Sequence, residues 1–496
     1  MQDGTLLAAI DLGSNSFRLE IGRLEQGQIH KVEYLKETVR LGNGLDEARN
    51  LSAAAMQRGW ECLARFAERL AGFGSSQVRA VATQTLREAR NRDQFLVQAH
   101  QILGFPIDVI AGREEARLIY QGVAHLLPQS DEQRLVVDIG GRSTELILGR
   151  QFDARVMESY RVGSVSWSMR FFARGEFSDE AFDQAEVAAK AVLEEAANAY
   201  APPSWSVAYG ASGTIGAVGD LLLAGNQGAG ITRTGLDWLR RHLVDAGHAE
   251  RLQLEGLKEE RRAVIGGGVS ILRAVFELLQ IEQMQAAQGA LRQGVLYDLL
   301  DREQEDTDIR SSTVRRLATK FGVEAAQATR VGQVACRLLR ELRGTGADGT
   351  DLLRLERKLG WAAQLHEIGS RISHTDYHKH GAYILDNADA PGFAQPELHR
   401  LSQLVLGHRG KLRKLESALE DERLVHQLLC LRIAVILCHA RRDPQLSGLQ
   451  LRSAPGGAVL TLSREWALRY PQSSHLLREE AIAWQKTPLK LVLQEN

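Results

Sequence analysis

The chain is poor in cysteine: only Cys62, Cys336, Cys430 and Cys438 occur, scattered and without a CxxC pair. Neither a disulfide framework nor a thiolate zinc site is indicated, and the four read as buried small apolar residues in a reducing compartment. The chain also lacks a charge excess, with 61 Lys and Arg against 62 Asp and Glu. That balance excludes a globally basic nucleic-acid binder and leaves only local patches to argue from. No apolar run is long enough to span a bilayer, since the best candidate, Leu428 to Cys438, is broken by Arg432. The start of the chain, with Asp3 and a brief apolar stretch before Asp11, is too short and too acidic for a signal peptide, so a cytoplasmic location is expected. No GxxxxGK[ST] occurs, which excludes a P-loop.

What is present is an ordinary globular composition, 44% hydrophobic and 25% charged, over 496 residues. That length calls for roughly two to four domains. Two segments look alike: Leu7-Ala8-Ala9-Ile10-Asp11-Leu12-Gly13-Ser14-Asn15-Ser16 and Leu135-Val136-Val137-Asp138-Ile139-Gly140-Gly141-Arg142-Ser143-Thr144-Glu145. Each is an apolar run, then Asp-x-Gly, then small polar residues and a second strand-like run. A buried strand that ends in Asp and turns on Gly sets a carboxylate beside backbone N–H groups, the requirement of a phosphate and cation site. One such turn is plain hairpin chemistry. A third Gly/Ser turn, Gly210-Ala211-Ser212-Gly213-Thr214, also follows a strand and opens a helix, which strengthens the phosphate reading.

The periodicity predicts a meander over Leu6 to Leu35, a helix from Ser52 and strands at Val78 to Ala82 and Ile107 to Ile110. The theme repeats from about Leu127. Two duplicated α/β halves around one cleft fit an actin-like fold. A charged stretch low in apolar residues around Asp301 to Thr313 predicts a linker; Val314 to Ala440 is helical in pattern, and a hairpin, a helix and a short strand follow. The expected division is 1–126, 127–302, 303–445 and 446–496.

The acids Asp11, Glu114, Glu115, Asp138 and Glu145 stand at strand ends or a helix start, where they could position water or a cation. Arg87 follows a strand and could fork onto phosphate. His366, His374, His378, His380 and His408 sit in the helical region without a full ligand set, so a structural or surface cluster is expected there. Arg409, Lys411, Arg413, Lys414, Arg441 and Arg442 form local basic patches, either solvated faces or a track for a long polyanion.

Five ordered motifs, Ala9 to Phe17, Ala82 to Arg87, Gly112 to Ile119, Val137 to Glu145 and Gly210 to Thr214, resemble those of the exopolyphosphatase and guanosine pentaphosphate phosphatase family. Leu365-His366-Glu367-Ile368-Gly369 and His380 to Leu385 are similar to the His-Asp-type helical domain of its long bacterial members. The resemblance implies two actin-like (ribonuclease H-like) α/β lobes, an all-α His-Asp-like domain and a small α+β appendage. It also implies exohydrolysis of a terminal phosphoryl group with Mg2+ (or Mn2+), by a homodimer. It makes Glu115 the base that activates water and Asp11, Asp138 and Glu145 the cation ligands. It places Gly13, Ser14, Asn15, Arg87, Gly140, Gly141, Arg142, Ser143, Thr144, Gly210, Ser212 and Gly213 around phosphate. Many relatives keep a small residue where this chain has Arg142, which is expected to point along the cleft toward a phosphate further down the substrate. Glu367 replaces the Asp of the His-Asp motif, so the helical domain is expected to be a scaffold. The basic patches favour inorganic polyphosphate as substrate, with guanosine pentaphosphate as the alternative; an actin-fold kinase or ATPase and a non-catalytic sensor are less favoured.

Overall fold

The computed structural model describes every residue except 129, 229, 303–306 and 345–348, and it divides into two compact units, Met1–Thr307 and Asp308–Asn496. The run expected as a linker, 301–313, lies partly outside the described residues, because 303–306 belong to it, and its last residues, 309–313, instead begin the helix Ile309–Lys320.

The first unit holds two lobes built to one plan. In lobe I, β1 (Leu6–Leu12), β2 (Phe17–Glu25) and β3 (Gln28–Glu37) form the meander, and α1 (Ala53–Arg69) follows. Then β4 (Val78–Ala82), α2 (Gln84–Glu88), α3 (Arg92–Leu103) and β5 (Ile107–Val109) complete a sheet of order β3-β2-β1-β4-β5. The next helix, α4 (Gly112–Leu126), leads to lobe II, where β6 (Gln133–Ile139), β7 (Thr144–Arg150) and β8 (Asp153–Tyr160) repeat the meander. After them come α5 (Ser164–Phe171), α6 (Asp179–Leu193), α7 (Ala196–Ala199), β9 (Val207–Ala211), α8 (Ser212–Ala224), β10 (Ile231–Thr232) and α9 (Arg233–Ala246). The unit finishes with α10 (Glu259–Arg262), α11 (Ile265–Leu278), β11 (Gln283–Ala286) and α12 (Leu291–Arg302). Read from its meander, the second sheet runs β8-β7-β6-β9-β11-β10, the plan of lobe I with one antiparallel edge strand added.

The central strands β1, β4 and β6 are covered on both faces, which is why they read as continuous apolar runs rather than alternating ones. The Ser52 hydroxyl caps α1, accepting from the Ala55 N–H at 3.3 Å. Each lobe has its own core, and a third apolar layer, including Val81, Ile119, Val136 and Leu296, lies between the sheets around α4 and α12. These two helices touch backbone to backbone: a Cβ on Gly122 would stand 2.1 Å from the Ala290 carbonyl oxygen, and one on Gly294 1.7 Å from that of Leu118. Only glycine permits that approach. Beside the contact, burial would raise the Asp298 carboxyl, but Arg117, Arg79 and Arg302 hold it well below the usual range. Glu114 belongs to this network through Arg117 at 2.8 Å and plays a structural part. The packing anchors α4 so that its first turn, carrying Glu115, opens beside both Asp-Gly turns.

In the second unit, α13 (Ile309–Lys320), α14 (Ala325–Arg343), α15 (Gly349–Leu365), α16 (Tyr377–Asn387), α17 (Gln395–Gly407) and α18 (Glu422–Leu437) precede β12 (Leu449–Ala454) and β13 (Gly457–Leu462). Then α19 (Arg464–Arg469), α20 (Pro471–Trp484) and β14 (Lys490–Glu495) close the chain, with β14 parallel to β13. Leu451, Leu460, Trp466 and Trp484 share one core with Leu338, Leu365 and Leu428. Three short strands bury too little by themselves, so the segment expected as an appendage is built into the helical unit. No helix among the described residues is long and apolar enough to cross a membrane.

Candidate active site

The residue opposite Asp11 in the β1–β2 ladder is Arg18, whereas the residue opposite Asp138 in the β6–β7 ladder is Glu145. Directly opposed residues share a face of the sheet. In lobe I the pair is therefore an ion pair, Arg18 Nη1 to Asp11 Oδ2 at 3.3 Å. In lobe II it is two carboxylates.

A cavity of about 100 Å3 collects the expected groups. Lobe I supplies Asp11, Gly13, Ser14 and Asn15; lobe II supplies Asp138, Gly140, Gly141, Arg142 and Ser143; α8 supplies Ser212 and Gly213, and α4 supplies Glu115. The Ser14 hydroxyl is held by a 2.8 Å bond from Thr85 Oγ1, and the Ser212 hydroxyl donates to the Ile139 carbonyl at 2.9 Å. A larger cavity, about 880 Å3, lies at the other end of β9 beside Trp205, Val207 and Arg233. It holds none of the phosphate motifs and is open to solvent, so the smaller one is the candidate site.

Four residues expected at phosphate are used differently. Arg87 lies behind the cavity, where its Nη1 donates to Glu115 Oε2 at 2.7 Å and to the Ile110 carbonyl at 2.9 Å. Thr144 is buried and donates to the Val162 carbonyl at 2.6 Å. Gly210 is inside β9, packed on Ile215 and Met284. Arg142 lines the cavity, and its guanidinium reaches across to lobe I, donating to the Gly42 carbonyl at 3.3 Å and to Glu88 Oε2 at 3.2 Å rather than pointing along the cleft as expected. Glu145, expected as a cation ligand, is buried just behind Asp138 and accepts from Ser159 Oγ at 2.7 Å.

The structure adds three guanidiniums that the sequence did not single out: Arg18, Arg261 and Arg292 line the cavity. Arg261 forms no ion pair among the described residues, and burial together with nearby Arg18 lowers its affinity for a proton. Its Nη2 lies 1.9 Å from where a Cβ on Gly213 would be, so this glycine makes room for it. Arg18 is signalled only by the hairpin register, Arg261 was hidden in the charged run Lys258 to Arg262, and Arg292 carries no motif.

The acids respond to one another. Burial is the main cause, and repulsion among them the next, in raising the Asp138 carboxyl to about 7 and that of Glu145 well above the usual range. Burial also raises Glu115 even though Arg87 opposes it. Such mutually raised carboxyls are stabilised by a cation. No group of three or more His, Cys, Asp or Glu among the described residues could hold a metal by itself. Asp11 and Asp138 on the cavity wall are hard oxygen donors of the kind Mg2+ takes.

In the helical unit, His366, His378 and His408 are buried, with the His366 and His408 rings 5.3 Å apart. His366 Nδ1 pairs with the Ala363 carbonyl and His408 Nδ1 with that of Val405. The expected polyanion track is partly engaged: Arg441 pairs with Glu324 and with Glu367 at 2.8 Å, Lys414 donates to the Arg409 carbonyl at 2.8 Å, and Arg409 stacks over Tyr377. Lys411, Arg413 and Arg442 are exposed.

Comparison with known proteins decides the family. The model of the Ppx/GppA phosphatase family matches residues 21–303, and that of Ppx/GppA phosphatase domain III matches residues 309–483. The chain belongs to the Ppx/GppA phosphatase family. It is 41% identical to a guanosine-5'-triphosphate,3'-diphosphate pyrophosphatase of Vibrio cholerae, over 96% of this chain and 95% of that one. A protein of the same name from Photobacterium profundum is 40% identical, over 99% and 98%. Among solved structures, an exopolyphosphatase from Cytophaga hutchinsonii superposes with a TM-score of 0.54 at 24% identity, over 60% of this chain and 98% of that one. The Aquifex aeolicus Ppx/GppA family member gives 0.52 at 23%, over 61% and 99%. The Ppx/GppA lobes are thus actin-like α/β halves, and the protein is a phosphoanhydride hydrolase.

Proposed function

We propose that this chain is a guanosine pentaphosphate phosphohydrolase that removes the 5′-terminal phosphoryl group by attack of water. The observation that carries the substrate is the nearly full-length similarity to relatives that bear the guanosine name, 41% and 40% identical. The basic patches placed polyphosphate first in the sequence; this similarity backs the pentaphosphate better, and the order is reversed.

In this reading Glu115 accepts a proton from the water as the water oxygen bonds to the terminal phosphorus. The bond from that phosphorus to its bridging oxygen breaks, releasing orthophosphate and guanosine tetraphosphate. The burial that raises the Glu115 carboxyl suits a general base, because its proton affinity moves toward neutral pH. Arg87, 2.7 Å from Oε2, keeps the carboxylate aimed. Arg261, with Ser14 and Ser143 at the two turns, receives phosphate oxygens. Asp11 and Asp138, with Glu145 behind them, would hold Mg2+ (or Mn2+) jointly with the substrate. When bound, that ion neutralises charge on phosphate oxygens. We further propose a cytoplasmic homodimer.

The test is orthophosphate release from guanosine pentaphosphate, long-chain polyphosphate and ATP, with and without Mg2+, by wild type and Glu115→Gln. The pentaphosphate is expected to show the highest kcat/KM, and activity is expected to vanish in the variant. Preference for polyphosphate or ATP overturns the substrate assignment; an active Glu115→Gln enzyme overturns the base.

A further inference from the structure

One rung of the lobe I meander carries charges in register. Asp11 on β1 faces Arg18 on β2, and Arg18 faces Lys36 on β3. Opposed residues share a face of the sheet, and like charges placed opposite one another destabilise it. Each cation of this rung is therefore matched. Arg18 has Asp11 at 3.3 Å. Lys36 forms no ion pair within lobe I among the described residues; its Nζ donates instead to Glu260 Oε1 at 2.5 Å, on α10 of lobe II. Because β3 is the edge strand of its sheet, the pair is a brace between the lobes.

The segment that holds Glu260 needs such a brace. The helix α10 is one turn of four residues, none of them fully buried, so packing of its own side chains does little to fix it. The ammonium of Lys36 holds the Glu260 carboxyl below its ordinary range, as a partner that favours the charged form does. The next residue is Arg261, whose guanidinium lines the phosphate cavity beside Gly213. Arg18 is near enough to repel it. Without an outside hold, a short exposed turn lets that guanidinium swing away from the other cation. Lys36 and Glu260 supply the hold, and neither of them lines the cavity.

We propose that Lys36 and Glu260 are positioning residues for substrate binding: their ion pair fastens α10 to the edge of lobe I and so keeps Arg261 where it meets a phosphate oxygen. The proposal rests on the phosphate-receiving part given to Arg261 under Proposed function. It predicts a sign opposite to that of simple charge attraction. A carboxylate close to a polyanion site repels the substrate, so its removal lowers KM if charge alone acts. If Glu260 acts through Arg261, its removal raises KM.

The experiment measures kcat and KM for orthophosphate release at fixed ionic strength, with guanosine pentaphosphate and with long-chain polyphosphate, so that the outcome does not hinge on which of them is preferred. Thermal melts accompany each variant. Glu260→Gln is expected to raise KM about threefold to fivefold with kcat within about twofold of wild type, the scale of one partly exposed ion pair. Lys36→Met is expected to do the same, Lys36→Arg to stay near wild type, and the double variant Lys36→Met/Glu260→Gln to be no worse than either single one, as for two members of one pair. Arg261→Met is expected to raise KM about tenfold, and Glu260→Gln added to it to change nothing further. A KM that is unchanged or lowered in Glu260→Gln overturns the proposal, as does a further rise when Glu260→Gln is added to Arg261→Met. An unchanged KM in Arg261→Met overturns the phosphate-receiving part of Arg261, and the proposal with it.

Discussion

The two Asp-Gly turns occupy equivalent places in duplicated lobes and have opposite electrostatics. Opposite Asp11 the ladder places Arg18, 3.3 Å away, so the first turn carries its own counter-charge. Opposite Asp138 it places Glu145, and the second turn gathers carboxyls that burial and mutual repulsion hold above their usual range. Glu115 projects from α4 between them and feels both: burial raises it first, and Asp11 adds to that while Arg87 opposes. One fold repeated twice has thus produced a turn whose acid is paired with a guanidinium and a turn whose acids crowd one another and hold protons more readily.

Breaking what the two turns share has the largest effect. Glu115→Gln keeps the shape and removes the base, and kcat is expected to fall by about 10³-fold or more with folding intact, checked by phosphate release beside a thermal melt. Next, Glu145→Arg gives the second turn the pairing of the first. If the asymmetry matters, kcat drops on the order of 10²-fold and added Mg2+ does not restore it; unchanged activity would show the two turns to be interchangeable. Third, Arg18→Gln strips the first turn of its counter-charge and is expected to raise KM about tenfold with a smaller change in kcat, because a guanidinium leaves the phosphate cavity.

The buried histidines of the helical unit give the comparison a control with the opposite sign. Burial is the main cause that lowers His366 and takes His408 well below its usual range; it brings His378, with Lys414 and Arg409 adding to it, to about 4. Unfolded, these groups bind protons near pH 6.5, whereas folded they do not until lower pH. The unfolded state therefore takes up more protons as the solution acidifies. The stability that depends on their neutrality is complete above pH 6.5 and declines between there and about pH 4. Urea unfolding from pH 7.5 to 4.5 is expected to show that decline, and His408→Gln to flatten it modestly. Its kcat at pH 7.5 is expected to stay within about twofold of wild type, as for a group that touches no substrate.

Much of the fold was legible in the sequence because its signals are local. Continuous apolar runs reported the doubly covered strands β1 and β6, Asp-x-Gly marked where each central strand turns, and Ser52 announced a helix start. The second unit was legible only in part. Its final strand pairs parallel to β13, and its small sheet shares the helical core, because three strands have too little apolar surface to bury alone. At the site, Asp11 and Asp138 were readable from their strand-end positions, whereas Glu115 was singled out from its neighbour Glu114 only by the family resemblance. Arg261 was not, since a guanidinium in Lys258 to Arg262 looks like any solvated face until Gly213 is seen to admit it.

By itself the sequence determined the duplication and the acids at the ends of the central strands and at the head of α4, because each depends on neighbours within a few residues. Only the tertiary structure decided the charge of each turn and the use of each arginine. The pairing of Asp11 with Arg18 and of Asp138 with Glu145 is a matter of register. That Arg87 holds Glu115 while Arg142 crosses to Glu88 depends on two lobes meeting over a single cleft. Charge at close range acts through space, and which groups come within 3 to 4 Å is set by packing rather than by order along the chain.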